Sequence, residues 1–210
     1  MQARRARDPA EGRLANVAAA VLLGGDSRRM GSDKAQRRLG GVALATRIAA
    51  LLADLFEDVL LVGGDPPAEA PGRRVPDPEG PACGLRGLVA ALSHARAERV
   101  LVLATDLPLV TPELLLGLVA WPEADAVVPR PREGSQPLCA LYRREAVLPV
   151  ARARLATGAL ELRGLLGALA TSWLEPADLA PLDPRGIALR NLNTPADLER
   201  AEALLRAREH

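Results

Sequence analysis

One short segment concentrates the residues with chemical potential: Leu22-Leu23-Gly24-Gly25-Asp26-Ser27-Arg28-Arg29-Met30-Gly31-Ser32-Asp33-Lys34. It holds three glycines, two arginines and a lysine. The chain has 27 basic residues; 26 are arginine, and Lys34 is the single lysine. Glycines let backbone N–H groups approach a ligand and adopt positive φ. Oriented amides beside cations make a seat for anionic oxygens, so the chemistry on offer is phosphate binding. Neither common phosphate template fits. A P-loop places Lys directly after its second Gly, whereas Lys34 follows Gly31 by three, and GxGxxG is absent from this turn. A plain basic surface loop is the competing reading, and the lone lysine falling here speaks against it.

Other candidates lie further along. Asp106 comes directly after the apolar run Arg99–Ala104 and Thr105. A carboxylate there suits Mg²⁺, which takes one or two carboxylates plus substrate phosphates and keeps several waters. An Asp ahead of Leu107-Pro108 can equally order a turn. Asp77 stands in the Pro- and Gly-rich stretch Pro66–Pro81, where a turn Asp is the simpler reading. Asn191 and Asn193 are two of three asparagines. Spaced by two on a strand they would share a face. Their amides could meet a phosphate or a metal-bound water, or could merely set up the Thr194 cap.

Composition removes several classes. The net charge is +1 and aromatics are 2% of 210 residues, which argues against polyanion binding and against stacking platforms for single-stranded nucleic acid. Hydrophobic residues at 49% and charged residues at 25% describe a globular chain with a sizeable core. Cys83 and Cys139 form no CxxC pair, so a disulfide framework and a zinc site are disfavoured and a cytoplasmic setting is expected. His94 and His210 are the two histidines, too few for Ser-His-Asp chemistry. Arg4, Arg5 and Arg7 before Leu14–Leu23 mimic a signal peptide. No small-residue cleavage site follows, and the run is short of the roughly 20 residues that span a bilayer. Residues 1–13 read as a polar, poorly ordered leader. Cys83, Cys139, Trp121 and Trp173 read as packing residues.

These candidates need a frame. Val17–Leu23 reads as a buried strand closed by a Gly pair. Leu44, Ile48, Leu51, Leu52 and Leu55 fall at helical spacing, predicting a helix over 42–55. Strands are expected at 58–62 and 99–104, the first again closed by Gly63-Gly64, with a helix over 84–96 between them. Thr111 caps a helix over 112–120 with Pro112 at its first position. Further strands are expected at 125–128, 137–142 and 187–192, and helices over 144–155 and 159–169. Thr194-Pro195-Ala196-Asp197 opens a helix running to about 207. Strands alternating with helices predict an α/β fold with a mostly parallel sheet covered on both faces. Ligands in such folds bind beyond the carboxyl ends of the strands. The ends to watch follow Leu23, Val62, Ala104 and Tyr142.

The pattern GG-x-S-x-R-M-G-x-D-K after a first apolar strand resembles that of nucleotidyltransferases, most closely the molybdenum cofactor guanylyltransferase family. The resemblance continues in Gly80-Pro81-Ala82-Cys83-Gly84-Leu85, Thr105-Asp106-Leu107-Pro108, Gln136-Pro137-Leu138 and Asn191-Leu192-Asn193-Thr194-Pro195. It covers roughly residues 17–206; each piece is weak, but five in order are strong. It implies a single Rossmann-like three-layer nucleotidyltransferase domain over 14–210. It also implies that Leu22, Leu23, Gly24 and Gly25 lie against the nucleotide, that Arg28 and Lys34 face its phosphates, that Asp77 binds the nucleotide and that Asp106 holds Mg²⁺. Asn191 and Asn193 become candidate acceptor or metal contacts. Family members usually read LAGG where this chain has Leu22-Leu23-Gly24-Gly25, and related cytidylyltransferases read LAAG. The family often carries Asn just after the second strand. This chain has Gly63-Gly64 there, so that contact must be remade by backbone or lost.

The expected activity is GMP transfer from GTP to a molybdopterin-type cofactor, with pyrophosphate released and Mg²⁺ as cofactor. The expected partners are those two substrates, with no nucleic acid and no membrane, in a monomer or weak oligomer. Cytidylyl transfer to the same pterin, nucleotidyl transfer to a sugar phosphate, and a non-catalytic nucleotide-binding partner remain alternatives.

Overall fold

The computed structural model describes residues 12–24, 37–76 and 83–206. The strands are β1 (Leu14–Leu22), β2 (Arg38–Leu39), β3 (Val42–Ala43), β4 (Phe56–Val62), β5 (Arg73–Val75), β6 (Arg99–Ala104), β7 (Ala126–Pro129), β8 (Cys139–Arg143) and β9 (Thr171–Leu174). The helices are α1 (Leu44–Leu55), α2 (Gly84–His94), α3 (Pro112–Ala120), α4 (Arg144–Ala156), α5 (Leu162–Leu166), α6 (Pro176–Leu179) and α7 (Pro195–Arg206). Seven strands form one sheet in the order β5-β4-β1-β6-β8-β7-β9. Only β8 is antiparallel to its neighbours, pairing that way with both β6 and β7. β2 and β3 make a small separate hairpin.

The centre of the sheet is β1, and its sequence shows why. Successive side chains point to opposite faces. Val17, Ala19 and Val21 enter one core with Ile48 and Leu52 of α1 and Leu114 and Leu118 of α3. Ala18, Ala20 and Leu22 enter the other with Leu85, Leu88 and Leu92 of α2, Val147 of α4 and Leu165 of α5. A strand buried on both faces reads as a continuous apolar run. Its run of alanines leaves room for the helices, and Gly87 of α2 sits where a Cβ would stand 3.1 Å from Leu22 Cδ1. A third, smaller cluster joins Leu39, Leu44, Leu109, Leu192 and Ala201, tying α7 to the hairpin.

Local signals act as expected at several termini. Thr111 caps α3 through its hydroxyl, which accepts from Leu114 N–H at 3.4 Å, and Pro112 follows. Asp197 N–H donates to Thr194 Oγ1 at 3.2 Å while Thr194 N–H donates to Asp197 Oδ2 at 2.9 Å, a reciprocal box opening α7.

Four expectations need correction. Residues 187–192 form no strand. Ile187, Ala188, Leu189 and Leu192 are buried, which produced the strand-like pattern. Their backbone partners are irregular, however: Asp183 accepts from Ile187 N–H at 3.2 Å and Ala188 N–H at 2.8 Å. The last strand is instead β9, and β5 lies within the stretch read as a loop. The helix expected over 159–169 is only α5, flanked by turns. The strand end after Tyr142 lies at the wrong end of the sheet, because β8 runs antiparallel. Among the described residues, no helix is long and apolar enough to cross a membrane.

Candidate active site

Strand register builds the site. Leu22 pairs with Val62 on one side and Ala104 on the other. Val62 in turn pairs with Val75. Beyond Ala104, whose N–H donates to Leu138 O at 2.8 Å, lies the segment that leads into β8. The chain therefore leaves β1, β4, β5 and β6 at one level and enters β8 there. Gly24, Gly63-Gly64, Asp106 and Gln136-Pro137-Leu138 all gather on this rim.

Around β1 and β4 the rim is made of backbone. Leu23 N–H donates to Val62 O at 3.0 Å, and Gly63 N–H to Val75 O at 2.9 Å. Gly63 and Gly64 have φ of +69° and +55°, the left-handed region that favours glycine. A Cβ on Gly64 would lie 3.1 Å from Leu23 Cβ. A side chain at position 64 would thus meet both strain and crowding. Leu22 and Leu23 are buried beneath the rim, while Gly24 is exposed on it.

α2 begins on the same rim. Cβ atoms added at Gly84 would stand 3.1 Å from Leu162 Cδ1 and 3.2 Å from Leu138 Cδ1. Glycine thus lets the first turn of α2 close onto the segment before β8. The amino terminus of a helix carries partial positive charge, which favours anions nearby.

Asp106 is half-buried at the centre. Leu192 N–H donates to its carbonyl oxygen at 2.7 Å, which pins Asn191-Leu192-Asn193 over the end of β6. Asn191 and Asn193 are exposed on either side of buried Leu192, and Asn193 N–H donates to Asp197 Oδ2 at 3.2 Å. Gln136 Nε2 donates to Leu189 O at 3.3 Å, bracing the same segment from β8. The loop before β8 is itself fixed by the buried Tyr142, whose hydroxyl donates to Pro137 O at 2.6 Å. Burial pushes that phenol's pKa well up.

Of the sequence-predicted site residues, Leu22, Leu23, Gly24, Asp106, Asn191 and Asn193 come together at this rim. Gly25, Arg28, Lys34 and Asp77 lie outside the described residues. Among the described residues, no three His, Cys, Asp or Glu side chains group as a metal cluster. Cys83 and Cys139 are unbridged, and burial raises the Cys139 thiol to about 12, which makes it inert. Trp121 does pack, donating from Nε1 to Ser172 Oγ at 3.0 Å.

The sequence reading missed Asp183, although Asp183-Pro184-Arg185-Gly186 carries turn chemistry. It also missed Arg130, which follows β7 at the rim and which nothing distinguishes from 25 other arginines. A cavity of about 240 Å³ lies at the opposite, amino end of the strands, against Phe56, Asp58, Arg73 and Arg96. There Arg73 grips Asp58 from Nε at 2.8 Å and from Nη2 at 3.1 Å, and Arg96 N–H adds a third bond at 3.2 Å. That pocket lies far from the rim, and its polar groups hold one another.

Comparison with known proteins identifies the family. Residues 19–172 match the model of the MobA-like NTP transferase domain. A probable molybdenum cofactor guanylyltransferase of Chloroflexus aggregans is 38% identical over 196 residues, covering 88% of this chain and 93% of that protein. The molybdenum cofactor guanylyltransferase of Desulfosudis oleivorans is 30% identical, covering 91% and 96%. The crystal structure of molybdopterin-guanine dinucleotide biosynthesis protein A from Archaeoglobus fulgidus superposes with a TM-score of 0.77 at 26% identity, covering 90% of this chain and 99% of that one. A 2-C-methyl-D-erythritol 4-phosphate cytidylyltransferase from Thermus thermophilus, 19% identical with a TM-score of 0.66 and covering 89% and 98%, shares the fold. The chain belongs to the MobA-like NTP transferase family and is a nucleotidyltransferase.

Proposed function

We propose that this chain transfers GMP from GTP to the molybdenum cofactor and releases pyrophosphate, the activity for which its relatives are named. The observation that supports this most is the meeting of Gly24, Asp106 and Asn191–Asn193 on one rim, held by register and by the Leu192–Asp106 bond. In this reading, residues 14–210 are one catalytic domain of a cytoplasmic enzyme, a monomer or weak oligomer. Leu22 and Leu23 underlie the nucleotide, and the Gly24-Gly25 backbone and Asp77 contact it. Arg28 and Lys34 neutralise its phosphates.

The acceptor's terminal phosphate oxygen attacks the α-phosphorus in line, and the bond to pyrophosphate breaks. A phosphate nucleophile is already ionised, so no general base is required. The protein's work is positioning and charge neutralisation. The oxygen donors at the rim suit a hard divalent cation: the Asp106 carboxylate, with the Asn193 amide on the segment bonded to it. Mg²⁺ held there would neutralise charge on the reacting phosphates.

Incubation with molybdenum cofactor, Mg²⁺ and each of GTP, CTP, ATP and UTP tests the reading. Pyrophosphate and a pterin–guanine dinucleotide should form with GTP far faster than with the others. Preference for CTP would shift the assignment to cytidylyl transfer. Binding of GTP without turnover would make the chain a nucleotide-binding partner.

A further inference from the structure

In-line transfer sets the acceptor on the side of the α-phosphorus opposite the leaving pyrophosphate. This inference rests on the nucleotidyl-transfer reading of the rim. The Gly-rich segments follow β1 and β4, and Asp106 follows β6. On the side of Asp106 away from those segments, the rim belongs to β8, β7 and β9. β7 and β9 pair in parallel as far as Pro129 and Leu174, so Arg130 and Glu175 leave the sheet side by side. Arg130 N–H donates to Leu174 O at 2.8 Å, and Gln136 N–H donates to Pro129 O at 2.9 Å. Gln136 then reaches the segment bonded to Asp106. Arg130 thus stands two strand spacings from β6, about 10 Å along the rim.

We propose that Arg130, laid on Trp173, is the ledge that holds the ring end of the acceptor, a flat pterin-type heterocycle whose phosphate arm reaches toward Asp106.

The chemistry of the pair selects that ligand class. The guanidinium carbon lies 4.9 Å from the centroid of the Trp173 ring. Glu175 accepts from Arg130 Nε at 3.2 Å and also from Nη2. Glu175 is itself anchored, its N–H donating to Asp178 Oδ2 at 3.0 Å in the turn that opens α6. Trp173 is half-buried against the core beneath α2, α4 and α5. The guanidinium plane is therefore fixed before any ligand arrives, while 47% of the Arg130 side chain is exposed. Glu175 offsets its charge, so a bare phosphate gains little from this site. A planar ring gains a preset stacking surface and N–H groups at its edge. A surface strap between β7 and β9 would have the same bonds but no effect on substrate.

The test uses the purified full chain with Arg130→Ala and Trp173→Leu. Binding of 6-hydroxymethylpterin is followed by its own fluorescence, GTP binding by calorimetry, and GMP transfer by the KM for each substrate. The ledge predicts pterin affinity about tenfold weaker in both variants, a higher acceptor KM, and GTP affinity unchanged within about twofold. No pterin binding by the unsubstituted chain overturns the proposal. So do unaltered pterin affinity and acceptor KM in the variants, or a parallel fall in pterin and GTP affinity, which would mark a structural strap. Transfer by the unsubstituted chain with unmoved acceptor KM in the variants sinks the ledge alone. Pterin binding lost in the variants, with no GMP transfer by any chain, sinks the transferase reading and leaves the ledge standing.

Discussion

The backbone N–H of Leu192 donates to the backbone carbonyl of Asp106 at 2.7 Å, joining positions 86 residues apart in the chain. That bond uses no side chain, so no substitution at Asp106 removes its acceptor. It makes the segment after β6 and the segment before α7 one unit. What shapes the second segment is Asp183, whose two carboxylate oxygens take the N–H groups of Ile187 and Ala188. The irregular run 187–192 is thereby held with its apolar side chains inward, and Asn191 and the following Asn193 are exposed.

Asp183→Ala removes both acceptors and leaves two buried-residue N–H groups without them. The expected loss is about 2 kcal/mol, or roughly 4–8 °C in melting temperature for a chain of this size. Because the freed segment carries Asn191 and Asn193, GMP transfer should fall by more than GTP binding. Asp183→Asn keeps one acceptor oxygen and should recover part of both. Thermal unfolding and single-turnover transfer check this. Unchanged stability in Asp183→Ala would show that Ile187 and Ala188 find other partners.

At the β4 end of the rim, Gly64→Ala should weaken GTP binding and lower stability together. Alanine would be held at φ near +55° with its Cβ 3.1 Å from Leu23 Cβ. The left-handed conformation alone costs about 1–2 kcal/mol for a non-glycine residue. Relief requires moving the backbone after β1, where Gly24 stands. Gly41→Ala is the control: it has φ of +77°, but open space around its Cβ. It should lose comparable stability and leave GTP affinity alone. Equal GTP affinity in both variants would detach Gly64 from the nucleotide side.

Acid sensitivity has a local source at the far end of the sheet. Burial tends to raise the Asp58 pKa. The Arg73 guanidinium and the Arg96 N–H outweigh it and hold the carboxyl below its usual value. A depressed folded-state pKa contributes stability that is complete above the unfolded-state value and is lost as pH falls through the folded one. Asp58→Asn should therefore cost about 1–2 kcal/mol at pH 7, and the gap should close below about pH 4. Denaturant melts of both chains from pH 7 to pH 3 measure it. A gap that stays constant would assign the cost to packing and not to charge.

Much of the frame was legible because local signals and burial agree. β6 falls at 99–104 as read, and α3 starts and stops where Thr111, Pro112 and the turn at Trp121 dictate. Legibility failed where they conflict. Thr171–Leu174 is a short edge strand with two hydroxyl residues, and Arg73–Val75 hides two arginines in a Pro-rich stretch. Ile187–Leu192 has the apolar content of a strand, but Asp183 claims its donors. The direction of β8 is set by pairing with β6 and β7, which no local pattern encodes. Hence Gln136–Leu138, and not the residues after Tyr142, reaches the rim. The placement of Asp106 on the rim was legible because a residue just beyond a buried parallel strand has few places to go. Arg130 was not, since its meaning comes from Trp173 and Glu175, more than 40 positions away.

Asp106→Asn separates charge from shape at the centre of the rim. The amide has nearly the size of the carboxylate, and the bond from Leu192 goes to the backbone carbonyl, so that bond and the fold around it should persist in the variant. What goes is the negative oxygen that a hard cation prefers. Metal-dependent transfer should fall on the order of a hundredfold or more, about 2.7 kcal/mol of barrier. The Mg²⁺ concentration giving half-maximal rate should rise. Asp106→Glu keeps the charge but advances it by one methylene, and should recover part of the metal affinity with less of the rate. Thermal melts beside Mg²⁺ titrations of pyrophosphate release read out both effects. Near-normal turnover in Asp106→Asn at low Mg²⁺ would remove Asp106 from the metal site.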